Sequence, residues 1–171
     1  MSLHPARAAA LVARARVGVA QAGSVEEALE VVAALLEPHL PVSRISLLKG
    51  PSERRLTVAG VWPPGPRRLG RGTEISLAVT CLAAAVLEDR PIVEGECASP
   101  PLLAEWALAS EGLKGWIAVP VHQGARIRGV LWFAAEATDA FRLEHVPVFR
   151  ELAATIEAQV LKLGERAASN P

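Results

Sequence analysis

Residues 115–133 read GWIAVPVHQGARIRGVLWF, two apolar runs joined by a short polar stretch. Side chains alternate along a strand, so each run divides into two sets. In the first run Ile117, Val119 and Val121 form one set, and Trp116, Ala118, Pro120 and His122 the other. In the second, Ile127, Gly129, Leu131 and Phe133 stand against Arg128, Val130, Trp132 and Ala134. Gln123-Gly124-Ala125 between the runs makes them a β-hairpin. The first set of each run is uniformly apolar, as a face pressed on helices requires. The second mixes aromatic, small and polar side chains, which suits a pocket wall, where space is needed beside a few orienting groups.

Downstream of this hairpin, residues from Leu143 to Arg166 carry Val146, Phe149, Leu152, Ala153, Ile156, Val160 and Leu163 on one helical stripe, ahead of a frayed tail at 167–171. Upstream, Ser24 followed by Glu27 is a capping box that starts a helix. Its apolar positions Val25, Ala28, Leu29, Val32, Leu35 and Leu36 share a face, and Pro38 stops it. VSRISLLK (42–49) and RRLTVAGVW (54–62) predict a second hairpin. PPGPRRLGRG (63–72) is too rich in proline and glycine for a regular element and reads as a solvated loop, with an anion-binding lid formed by Arg67, Arg68 and Arg71 as the sharper alternative. A short strand at 74–77, a helix over Val79–Glu88, a strand at 91–94 and a helix over Pro100–Ser110 follow, the last capped by Ser99. The alanine- and arginine-rich segment Pro5–Ala20 reads as a linker helix or a dimer contact.

A chain of 171 residues holds one domain with a sizeable core. The reading divides it into an N-terminal helix or linker at 1–22, a domain at 23–166 and a disordered tail at 167–171. Basic and acidic residues cancel, 18 against 18, so bulk charge suggests neither nucleic acid nor an anionic membrane as a partner. The longest apolar candidate, SLAVTCLAAAVL (76–87), falls short of the roughly 18 residues that span a bilayer. Arg14 and Arg16 interrupt the alanine-rich amino terminus and spoil the apolar region of a secretory signal, so the cytoplasm is the expected compartment. Cys81 and Cys97 lack metal-site spacing and are expected to stay reduced there.

Strand runs that include hairpins predict an α+β fold with a mostly antiparallel sheet. From about Ser24 to Leu163 the chain resembles the GAF family of small-molecule sensor domains, on the strength of SRISLLK, RPIVE, GWIAVPVHQGARIRGVLWF and the DAF at 139–141. The PAS fold is the structural competitor. The helix before the first strand and the closing hairpin plus helix favour the GAF reading. The resemblance implies a sheet of five or six strands, the terminal helices on one face, and two short middle helices over a ligand pocket on the other. It places Ser46 and Leu48 on the pocket face and draws a lid from Val79, Leu82, Ala83, Val86, Leu102 and Trp106. With Trp116, Ala118, Val130 and Trp132 from the hairpin, these line a site suited to a planar, moderately apolar molecule, with His122 or Arg128 at its rim.

No triad spacing, HExxH, P-loop or GxGxxG is present, and the histidines His4, His39, His122 and His145 are scattered. A relative of the fold reduces free methionine sulfoxide with clustered cysteines, whereas this chain has only two. The cysteine of bilin-binding members is absent from EWALASEGLKG, and the Asn-Lys of cyclic-nucleotide-binding members is missing. The expectation is a non-enzymatic sensor or regulatory domain in signal transduction. It would bind an unidentified small molecule, with no metal or named cofactor, and signal through terminal helices that pair as a homodimer. A ligand-free dimerisation module and a thiol-dependent reductase are the alternatives.

Overall fold

The computed structural model describes residues 3–94 and 101–169. Two helices come first, α1 (Pro5–Ala20) and α2 (Val25–Leu36), then the strands β1 (Arg44–Ser52), β2 (Arg55–Trp62) and β3 (Glu74–Ser76). The helix α3 (Leu82–Leu87), the strand β4 (Ile92–Val93) and the helix α4 (Leu103–Ser110) lead to the closing hairpin, β5 (Gly115–Gln123) and β6 (Arg126–Ala135), and to the helix α5 (Val146–Ser169). Among the described residues six strands form one antiparallel sheet in the order β3-β2-β1-β6-β5-β4. The α+β expectation, with terminal helices on one face and short middle helices on the other, holds.

Local chemistry accounts for the element ends, with some departures from expectation. Ser24 Oγ accepts the Glu27 amide at 3.1 Å, but the reciprocal bond from Glu27 goes one residue further back, to the Gly23 amide at 2.7 Å. The helix expected over Val79–Glu88 is split. A 3-10 turn covers Leu77–Val79, Thr80 is extended, and α3 starts at Leu82. The Thr80 hydroxyl explains the break, because it accepts the Leu82 amide and competes with a continuous helix. The helix α4 begins at Leu103, and the expected cap Ser99 lies outside the described residues. At the far end α5 runs to Ser169, past the expected end at Arg166.

The sheet separates two apolar layers. Ile45, Leu47, Ile117, Val119, Val121, Leu131 and Phe133 pack with α1, α2 and α5. Phe149 is the centre of that layer, 4.3 Å from Phe133 and 5.6 Å from Phe141 between ring centroids. Leu11, Val12, Ala15 and Val19 bring α1 into the same core, and the Gln159 amide on α5 donates to the Ala22 carbonyl at 2.6 Å, tying the α1–α2 connection to the last helix. Leu48, Trp116, Ala118, Val130, Trp132 and Ala134 face the other way, onto α3 and α4.

The alternation read along the hairpin therefore places both faces, with one correction. Val121 pairs with Gly129, yet His122 pairs with Ile127, so Arg128 is an extra residue, a β-bulge. A bulge reverses parity. Ile127, expected with the helix-facing set, packs on the middle-helix layer, and Arg128, expected at the pocket rim, turns toward α5. Gly129 sits beside this bulge because a Cβ there would overlap the Leu48 carbonyl oxygen.

Candidate functional site

The layer between the sheet and the middle helices contains most of the residues expected to line a site. Ser46, Leu48, Leu82, Val86, Trp116, Ala118, Val130 and Trp132 are all buried there, and Val79 is half-buried. Trp116 and Trp132 meet edge to face, with ring centroids 5.8 Å apart, the arrangement that sets the positive edge of one ring on the negative face of the other. Leu102 and Trp106 are not part of this layer. They are 37% and 49% exposed, because α4 turns Ala104, Ala107 and Leu108 inward and leaves its larger residues outside. Through these residues α4 joins the apolar cluster that holds the two tryptophans. Trp106 instead carries the Arg68 guanidinium over its ring at 5.3 Å. His122 is exposed at the end of β5, with Nε2 2.7 Å from Asp89 Oδ1.

Two polar networks that the sequence reading did not anticipate fix the lid. Glu105 on α4 is only 4% exposed. Its Oε1 accepts the Thr80 hydroxyl at 2.6 Å and the Cys81 amide at 3.0 Å, which clasps α4 to the start of α3. Burial pushes this carboxyl above the ordinary carboxylate range, and the bonds from Thr80 and Cys81 pull only partly against it. The second network centres on Arg44, which is 1% exposed. It donates to Ser46 Oγ at 3.1 Å, to Glu111 Oε2 at 2.8 Å and to the Leu69 carbonyl. Glu111 Oε1 also accepts the Arg68 amide at 2.8 Å, so the loop expected to be solvated is anchored through Leu69 and Arg68 to the end of α4. Burial lowers the Arg44 pKa and the Glu111 charge opposes that shift. The alternation Arg44, Ser46, Leu48 was a usable signal, since it puts the arginine on the face of the other two.

Two buried polar atoms of this layer have no partner among the described residues, the indole Nε1 of Trp132 and Oε2 of Glu105. Cys81 is disulfide-bonded, which corrects the expectation of two reduced thiols; the sequence contains one other cysteine, Cys97, outside the described residues. The reduced state was read from compartment alone, whereas Cys81 sits where α3 begins, held by the Glu105 bond. No described helix is long and apolar enough to cross a membrane.

An antiparallel sheet with paired terminal helices behind it and a clasped pair of short helices in front defines an α+β domain. A sequence model described as "GAF domain" matches residues 22–158, and the chain belongs to the GAF domain family. Among solved structures it is similar to the GAF domain of a phosphoenolpyruvate-protein phosphotransferase from Coxiella burnetii, at 16% identity and a TM-score of 0.76 over 95% of this chain and 98% of that one. It is also similar to free methionine-R-sulfoxide reductase from Neisseria meningitidis in complex with its substrate, at 20% identity and 0.69 over 94% and 91%. The GAF domain of a two-component sensor histidine kinase from Bacillus halodurans matches at 20% identity and 0.65 over 82% and 99%. A comparison with curated protein sequences finds no match. At such identities the structural likeness shows the fold alone.

Proposed function

We propose that this domain is a non-enzymatic sensor that binds a small molecule between the sheet and α3–α4 and passes the result to α1 and α5. The supporting observation is the unpartnered pair, a buried N–H on Trp132 and a buried carboxylate oxygen on Glu105. A buried polar atom without a partner costs about 1–3 kcal/mol, so a planar molecule offering an acceptor to the indole and a donor to the carboxylate would recover what the free domain forgoes. Pairing of two copies through the terminal helices would carry the output, and the 64% exposed Val17 on α1 is available to that contact.

A metabolite screen by thermal shift tests the reading. A ligand present at about 100 times its Kd adds about 2.7 kcal/mol, which for a domain of this size is about 5–11 °C in Tm. Trp132→Phe keeps the ring and removes the N–H, so it should abolish the response while the domain stays folded. The absence of any shift at millimolar concentration across the screen would remove the sensor reading. Turnover of free methionine sulfoxide with dithiothreitol as reductant would replace it with the thiol-dependent reading that the Cys81 disulfide keeps open.

A further inference from the structure

A hollow of about 690 Å³ lies at one end of the sheet, on the face opposite the layer just described, between the β1–β2 turn, the β5–β6 turn and the last turns of α5. Glu157, Val160, Leu161 and Gly164 face it from one stripe of α5. Glu157 is 8% exposed, and its carboxylate accepts no hydrogen bond among the described residues. Lys49 and Arg128 line the same hollow and act on that carboxylate through their charge, yet neither reaches it as an ion pair. Arg128 is directed here by the bulge and holds Gln123 Oε1 with its Nε at 2.9 Å, leaving its terminal nitrogens unused. Glu165, exposed at the mouth, makes the four charges sum to zero. Gly164 keeps the space open, since a Cβ there would meet nothing within 4 Å. Glycine inside a helix costs about 1 kcal/mol relative to alanine, so this position gives up stability where a side chain would fill the hollow.

We propose that this hollow is a second binding site, which takes a zwitterionic molecule of short-peptide size with its ammonium on Glu157 and its carboxylate between Lys49 and Arg128. A ligand with only an anion would bring a second negative charge toward a buried carboxylate. One with only a cation would meet Lys49 and Arg128. A molecule carrying both satisfies the acceptor inside and the donors at the rim, while Val160 and Leu161 take its apolar part. The volume lies within the range of roughly 300–1,000 Å³ typical of small-molecule sites.

NMR titration of the full chain, labelled with nitrogen-15, tests this with leucyl-leucine, its N-acetyl derivative and its carboxamide. Leucyl-leucine should shift the amides of Lys49, Arg128 and Gly164 and saturate at millimolar concentration. Each blocked peptide should bind more weakly by about tenfold or more. Glu157→Gln should weaken leucyl-leucine to the level of the N-acetyl form. Gly164→Leu, which favours the helix and fills the hollow, should abolish binding in a folded domain. Equal affinity for the N-acetyl peptide would leave an anion site only, and equal affinity for the carboxamide a cation site only. Either result, no saturable shift, or binding that survives Gly164→Leu would overturn the assignment.

Discussion

Replacing Glu111 by alanine takes the counter-ion from an arginine that is 1% exposed and leaves the Arg44 cation with two neutral oxygen partners, Ser46 Oγ and the Leu69 carbonyl. Removing one partner of a buried ion pair costs about 3–5 kcal/mol, and because the Glu111 side chain keeps 17% exposure, the lower end applies, about 3 kcal/mol. For a domain of this length that is about 6–12 °C in Tm. The double variant Arg44→Met with Glu111→Ala removes the stranded charge and restores an apolar side chain of similar reach. Its cost should therefore fall below that of Glu111→Ala alone, with a coupling of about 1–3 kcal/mol in a double-mutant cycle. Urea denaturation followed by circular dichroism and by tryptophan fluorescence measures all the corners. A Glu111→Ala cost below about 1 kcal/mol, or single costs that simply add in the double variant, would refute the view that Arg44 is a buried charge held by Glu111.

Three further outcomes follow from the same geometry. Burial raises the pKa of Glu105, and those of Glu157 and Glu94, above the ordinary 4.5, so the folded state holds more protons than the unfolded one above that pH; stability should fall as pH rises through the window from 4.5 to the raised values, and Glu105→Gln, which keeps an oxygen for Thr80 and Cys81, should flatten the slope in urea melts. A slope unchanged by the substitution would show that Glu105 does not contribute to it. Gly129→Ala drives a Cβ into the Leu48 carbonyl at the bulge and should cost about 3 kcal/mol or more, whereas a folded variant of normal Tm would mean the bulge can relax. Trp132→Phe loses ring volume but also an unpartnered N–H, so the two effects oppose, and its net cost should stay within about 2 kcal/mol by thermal melt.

The architecture was legible because the closing hairpin alternates without interruption from Gly115 to Val121 and from Gly129 to Ala135, so period-two reasoning assigned each side chain its face. It failed at Ile127 and Arg128, where a single extra residue inverts the count, and nothing in ARIRG marks a bulge except the glycine that follows. The lid was less legible for a different reason. A helix carrying Leu102, Leu103 and Trp106 invites the reading that its large apolar residues point inward, but α4 turns Ala104, Ala107 and Leu108 into the layer that also holds the two tryptophans. Glu105 then faces inward with Ala104 and Leu108, and its burial is stabilised by Thr80 and Cys81, residues 25 and 24 positions earlier in the chain. Partners that distant leave no local pattern.

Each face of the sheet holds an apolar cluster and adds directional bonds to it, Gln159 to the Ala22 carbonyl behind and the Glu105 clasp in front. Behind it, Phe133, Phe141 and Phe149 and the aliphatic residues around them make non-directional contacts that no polar ligand atom can substitute. In front, α3 and α4 are joined by directional bonds to one carboxylate, which in the proposed reading a ligand donor would compete for or reinforce. Trp132 and Phe133 are consecutive on β6 and face opposite layers, and Phe133 rests on Phe149 of α5. In the proposed reading, a molecule that reorients the indole acts on the same strand backbone that carries the ring against α5, and one peptide unit separates the bonded face from the packed one. In that reading the clasp is the part of the domain that a ligand would rearrange, and β6 is the strand that both faces share.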